Sequence, residues 1–151
     1  MEQAILNIRA VCDGETDVIA NMATVSCELF HGDERFDWVG FYRNIGGDVL
    51  KVGPYQGGHG CLTIPFSKGV CGAAARERRT LIVDDVEAFE GHIACSSDTV
   101  SEIVVPVFDE AGALLGVLDI DSNQASAFTS ADAEVLEAMV CEVFANGQKF
   151  T

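Results

Sequence analysis

Ile103-Val104-Val105-Pro106-Val107-Phe108, then Asp109-Glu110-Ala111-Gly112, then Ala113-Leu114-Leu115-Gly116-Val117-Leu118-Asp119-Ile120-Asp121 reads as two β-strands closed by a tight turn. Both apolar runs are rich in Val, Ile and Leu, and the acid-and-glycine stretch between them is turn chemistry. With 109–112 as the loop, Phe108 faces Ala113, which places Glu102 opposite Asp119. Strand side chains alternate, so Glu102, Asp119 and Asp121 share one face. Directly opposed like charges destabilise a sheet. Three carboxylates at one sheet end are therefore either solvated surface acids or a site. Such a site would hold an ammonium group, or keep one carboxyl protonated by like-charge crowding.

Working outward from the hairpin, Asp37-Trp38-Val39-Gly40-Phe41-Tyr42-Arg43 reads as a strand, turned by Gly46-Gly47 into a second at 49–52. Leu81-Ile82-Val83 reads as a short strand, and 69–78 as a short helix with Ser67 as its cap. Trp38 and Tyr42 fall on one strand face with Gly40 between them. They are either sheet core or a shallow apolar wall with a gap at Gly40, suited to a small sulfur-containing or methyl-bearing ligand. The chain begins with two helical stripes: Ile5, Ile8 and Val11 with Cys12, stopped by Gly14; then Val18, Met22, Val25 and Leu29, ended by Gly32. It finishes with a third, in which Thr129 and Ser130 offer caps and Leu136, Met139, Val140 and Val143 form the buried stripe. Helices at both ends of an antiparallel sheet make an α+β domain. No repeat, low-complexity tract or linker divides the 151 residues, so a single domain is expected.

With 48% apolar residues the chain can bury a core, which excludes disorder. Nine Lys and Arg against 24 Asp and Glu give a net charge of −15. That surface repels phosphate backbones and anionic lipid, so neither nucleic acid nor membrane is an expected partner. The acid excess serves solubility, or attracts a ligand with a small cationic group. No apolar run reaches the roughly 20 residues of a spanning helix, and Met1-Glu2-Gln3 lacks the basic start of a secretory signal. A cytoplasmic protein is expected.

Six cysteines in a reducing compartment are core residues, metal ligands or redox groups. Cys12, Cys27 and Cys141 fall on helical segments among apolar neighbours and read as core. Cys61, Cys71 and Cys95 lie in connecting stretches. Cys71 follows Lys68 near a helix start, and both features favour a thiolate. Cys95 leads through the polar residues Ser96, Ser97, Asp98 and Thr99 toward Glu102. A competing zinc set, His59, Cys61, His92 and Cys95, has suitable ligand types but no recognisable zinc spacing. Three inert thiols are the remaining alternative.

Gly53-Pro54-Tyr55-Gln56-Gly57, Gly69-Val70-Cys71-Gly72, Gly91-His92-Ile93-Ala94-Cys95, Ser101-Glu102-Ile103-Val104-Val105-Pro106 and Leu118-Asp119-Ile120-Asp121-Ser122 follow in order along the chain. That series resembles the free methionine-(R)-sulfoxide reductases, stand-alone GAF-domain enzymes. The resemblance spans residues 36–129 and implies a single GAF domain over 1–151. It implies a mostly antiparallel six-stranded sheet with helices packed at one side, and a homodimer. The implied reaction reduces free L-methionine (R)-S-oxide to methionine, with thioredoxin restoring the enzyme and neither metal nor organic cofactor taking part. Cys61, Cys71 and Cys95 match the family's redox cysteines. Glu102, Asp119 and Asp121 match its acidic site residues, and Trp38 and Tyr42 its aromatic wall.

The residues suit that chemistry. Oxide is a poor leaving group, so a thiolate must attack the sulfoxide sulfur while an acid delivers a proton to its oxygen. The resulting sulfenic acid is captured by a second cysteine, and thiol exchange reopens the disulfide. Cys95, on the stretch that runs into Glu102, is the expected nucleophile, with Cys61 or Cys71 resolving. The alternative from another class is a GAF-type sensor binding a nucleotide or other small ligand, which has no need of three loop cysteines.

Overall fold

The two runs around 109–112 form an antiparallel pair within one sheet in the computed structural model, which describes residues 1–93, 95 and 98–145. The helices are α1 (Glu2–Val11), α2 (Val18–Gly32), α3 (Gly69–Glu77) and α4 (Ser130–Phe144). The strands are β1 (Trp38–Asn44), β2 (Val49–Gln56), β3 (Thr63–Pro65), β4 (Leu81–Val83), β5 (Ser101–Phe108) and β6 (Leu114–Ser122). They lie side by side in the order β3-β2-β1-β6-β5-β4, with every pairing antiparallel. The α+β architecture is the expected one.

The register of this hairpin differs from the one expected from the sequence. Asp109 closes a tighter turn, its N–H donating to Ala113 O and its carboxylate accepting from the N–H of Ala111 and Ala113. Phe108 therefore faces Leu114, and an irregularity between Val107 and Phe108 then sets Val107 against Gly116. Both shifts are in one direction, so Glu102 pairs with Asp121 and Val104 with Asp119. The combined slip is even, so Glu102, Asp119 and Asp121 still share a face.

Alternation gives the sheet two apolar faces. Val39, Phe41, Ile103, Val105, Val107, Leu118 and Ile120 meet α1, α2 and α4 in the larger core. Trp38, Tyr42, Leu50, Val104 and Val117 meet α3 and its flanking loops in a second core. The helices thus lie on both faces of the sheet rather than at one side. Short side chains let α3 approach closely: Val70, Cys71 and Ala73 to Ala75 are all buried.

The terminal helices are fixed by local chemistry. Thr129 caps α4 in a reciprocal capping box with Asp132, and Arg35 bridges Asp132 and Asp33. The N-cap of α3 is Lys68, which makes no side-chain cap bond, so the expected Ser67 cap is not formed. Of the three cysteines read as core, Cys12 is buried while Cys27 and Cys141 are exposed. Val11 is also exposed, leaving Ile5, Ile8 and Cys12 to carry the α1 stripe.

Candidate active site

The site is built on two adjacent rungs of the second sheet face. On one, Trp38 of β1, Asp121 of β6, Glu102 of β5 and Val83 of β4 lie side by side; on the next, Gly40, Asp119, Val104 and Leu81 do. Helix α3 crosses above them, and the loop carrying His92 and Cys95 closes the side. That loop is tied to the start of α3, because the Gly69 N–H donates to Gly91 O at 2.9 Å. The cavity they enclose, about 50 Å³, is lined by Trp38, Tyr42, Cys71, His92, Cys95, Glu102, Asp119 and Asp121 among others. A single water needs about 10–15 Å³ by the same measure, so the space is tight.

The acids are not solvated. Glu102 and Asp119 are only 6% and 5% exposed, and Asp121 is half-buried. Burial, reinforced by the charge on Asp121, pushes the Glu102 carboxyl up to about 8, against the smaller opposing effect of hydrogen bonds with Asp119 and Cys71. Asp119 and Asp121 are raised well above the carboxylate range, again by burial first and by their acidic neighbours second. Asp119 Oδ1 is buried with no hydrogen-bond partner among the described residues, and Asp119 lines the cavity.

This arrangement has a measurable cost. The folded Glu102 holds its proton above the ordinary value of 4.5, so between 4.5 and about 8 the native state binds more protons than the unfolded chain. Its contribution to stability therefore falls as pH rises through that window. Urea midpoints across the window should fall more steeply for the parent than for Glu102→Gln; parallel curves would show that the carboxyl titrates normally.

The cysteines fall into two roles. Cys61 and Cys95 form a disulfide, with Cα atoms 5.4 Å apart. Their pairing removes both thiolates from the alternative zinc set with His59 and His92. Cys95 lines the cavity; Ala94, Ser96 and Ser97 beside it lie outside the described residues, as does 146–151. Cys71 remains a thiol. It is buried on α3, and its Sγ lies 3.9 Å from Glu102 Oε1 as donor. Against the local setting that favours a Cys71 thiolate, burial pushes the thiol well up, and Asp119, Glu102 and Asp121 push it the same way. The helix start and Lys68 do not offset three buried acids. Cys71, Glu102 and Asp119 bring one ligand atom each within 4.8 Å of one another, near enough to share a cation or a proton.

Trp38 and Tyr42 do form a wall. Their rings stack at 5.9 Å, and Tyr55 stacks on Trp38 from β2 at 5.3 Å. The expected gap at Gly40 is filled: a Cβ there would lie 2.6 Å from the Trp38 ring. Gly40 thus lets the indole lie flat along its own strand. Tyr55, which the sequence reading did not single out, completes the stack. Its place on the same face follows only from the β1–β2 register, in which it opposes Gly40.

Carboxyls clustered beside an aromatic wall, with a disulfide at the cavity edge, mark this α+β fold as one that brings acids and redox-capable sulfur together. The GAF domain profile matches residues 12–141. A protein of Saccharomyces cerevisiae named free methionine-R-sulfoxide reductase is 39% identical over 145 residues, covering 92% of this chain and 81% of its own. The Escherichia coli protein of that name is 37% identical over 137 residues, covering 91% and 82% respectively. The free methionine-R-sulfoxide reductase of Neisseria meningitidis, solved in complex with its substrate, superposes with a TM-score of 0.87 at 40% identity, over 94% of this chain and 84% of its own. The chain belongs to the GAF-domain family and, within it, to the free methionine-R-sulfoxide reductases.

Proposed function

We propose that this enzyme reduces free L-methionine (R)-S-oxide to methionine by thiol chemistry, and is restored by a thioredoxin. The observation that carries the reading is the Cys61–Cys95 disulfide bordering a cavity floored by Glu102, Asp119 and Asp121. In the reduced enzyme, the Cys95 thiolate attacks the sulfoxide sulfur while a protonated carboxyl, Glu102 foremost, gives its proton to the oxygen. Oxygen passes to Cys95, leaving methionine and a sulfenic acid. The Cys61 thiol then attacks the Cys95 sulfur, the S–O bond breaks and water leaves, forming the disulfide. A dithiol protein reopens it by exchange. Cys71 takes no part in the disulfide and serves as a buried donor to Glu102. The remaining acids hold the substrate ammonium, and Trp38 and Tyr42 flank its methylthio end. Protons occupy the place that a cation would take among Cys71, Glu102 and Asp119. No helix among the described residues is long and apolar enough to cross a membrane; a cytoplasmic location is part of the proposal. A homodimer belongs to the same proposal.

Incubating the reduced protein with racemic methionine sulfoxide tests this directly. Thiols should be consumed two per methionine formed, and only one sulfur epimer should disappear. An unchanged thiol titre would leave a small-ligand sensor instead. The substrate should also be the free amino acid, because the buried carboxyls suit an α-ammonium that a peptide bond removes. Orientation is lost with that group, so an N-acetylated methionine sulfoxide amide should lose kcat as well as affinity, by roughly 10²-fold in kcat/KM. Comparable activity on the blocked compound contradicts this assignment.

A further inference from the structure

The glycine-rich loop at 57–60, which delivers Cys61, rests on the same aromatic rings that wall the cavity. Trp38 Nε1 donates to Gly58 O at 2.7 Å. The loop lies so close that a Cβ at Gly57 would come within 2.9 Å of Trp38 Cδ1 and 3.0 Å of Asp37 O. At Gly60 a Cβ would come within 2.9 Å of Tyr42 Oη. Gly57 also has φ +111, a conformation open to glycine and strained for other residues. Tyr55 stacks on the indole at 5.3 Å, which restrains the direction of its N–H.

We infer that Trp38 is a positioning residue for the resolving step: its indole N–H, together with the bare backbone at Gly57, seats the loop so that Cys61 meets oxidised Cys95. This rests on the reading of Cys95 as the oxidised sulfur and Cys61 as its captor. The indole thereby joins the cavity wall to the thiol that must arrive after chemistry. Trp38→Phe keeps an aromatic ring and deletes the donor. Gly57→Ala leaves the indole intact and pushes the loop off it. Each should slow closure of the Cys61–Cys95 disulfide, by roughly tenfold for the loss of one hydrogen bond of this kind.

Hydrogen peroxide tests the step without the sulfoxide. It converts the Cys95 thiolate to the sulfenic acid with release of hydroxide, and Cys61 then closes the disulfide with release of water. The reduced protein is mixed with peroxide, quenched at intervals with dimedone, and analysed by mass spectrometry for sulfenic acid on Cys95 and for disulfide. Both variants should show a longer-lived sulfenic acid than the parent, at a thermal midpoint that does not account for it. Should Trp38→Phe misfold, Gly57→Ala carries the measurement alone. Closure at the parental rate in a folded variant overturns the inference. Absence of methionine formation in the parent, with peroxide closure intact, counts against the proposed function and not against the loop seat.

Discussion

Cys95→Ser should form no methionine even in a single turnover without reductant, a loss on the order of 10³-fold or more for removal of a nucleophile. Cys61→Ser and Cys71→Ser should each release up to one equivalent. The reason is where the three sulfurs lie. Cys95 and Cys71 both line the cavity with Glu102, Asp119 and Asp121, but Cys71 is buried on α3 with its thiol pushed up and directed at Glu102. A thiol held neutral is a poor nucleophile. Cys61 is needed only after methionine has been made, so its loss should leave a dimedone-reactive Cys95. Quenched-flow quantification of methionine separates the cases. A full equivalent from Cys95→Ser with none from Cys71→Ser reverses the assignment.

Glu102→Gln should depress the chemical step by roughly 10²- to 10⁴-fold, the range for lost general-acid catalysis. A carboxamide of similar shape can still donate a hydrogen bond to the sulfoxide oxygen, but it has no proton to transfer. The pH profile carries the sharper signature. With the Glu102 carboxyl held up to about 8, the acid is protonated at neutral pH, and the single-turnover rate should fall as pH rises through that value. The sign is that of an acid: activity is present below its pKa and lost above it. In Glu102→Gln that alkaline limb should be absent from the residual rate. Asp121→Asn should also depress the step, since Asp121 opposes Glu102 on the sheet and its charge helps to hold that carboxyl up. Near-parental single-turnover rates in both variants would show the acids to be bystanders.

Strand alternation and helical stripes are properties of near neighbours in the chain, and they located the three terminal helices and the acid face. Register is different. It depended on whether the turn at 109–112 spans four residues or closes tighter around the Asp109 carboxylate, and on an irregularity one pair further on. The shared face survived because both shifts ran the same way.

The cysteines show the limit more clearly. Near the start of a helix and just after Lys68, Cys71 has the local setting of a thiolate. The acids that reverse it arrive from β5 and β6, some 30 residues or more along the chain. Cys27 could have been excluded from the core by spacing alone, since it falls between Val25 and Leu29 on the opposite side of their stripe. The stacking of Tyr55 on Trp38, and the flat indole over Gly40, depend on a cross-strand contact that no spacing within β1 reveals.

The most direct test is one turnover of fully reduced protein with free methionine (R)-S-oxide and no reductant, followed by alkylation and disulfide mapping by mass spectrometry. One equivalent of methionine, a Cys61–Cys95 disulfide, and Cys71 recovered as a free thiol after unfolding are expected. Methionine formed with a disulfide to Cys71, or with all the thiols unchanged, contradicts the proposed mechanism.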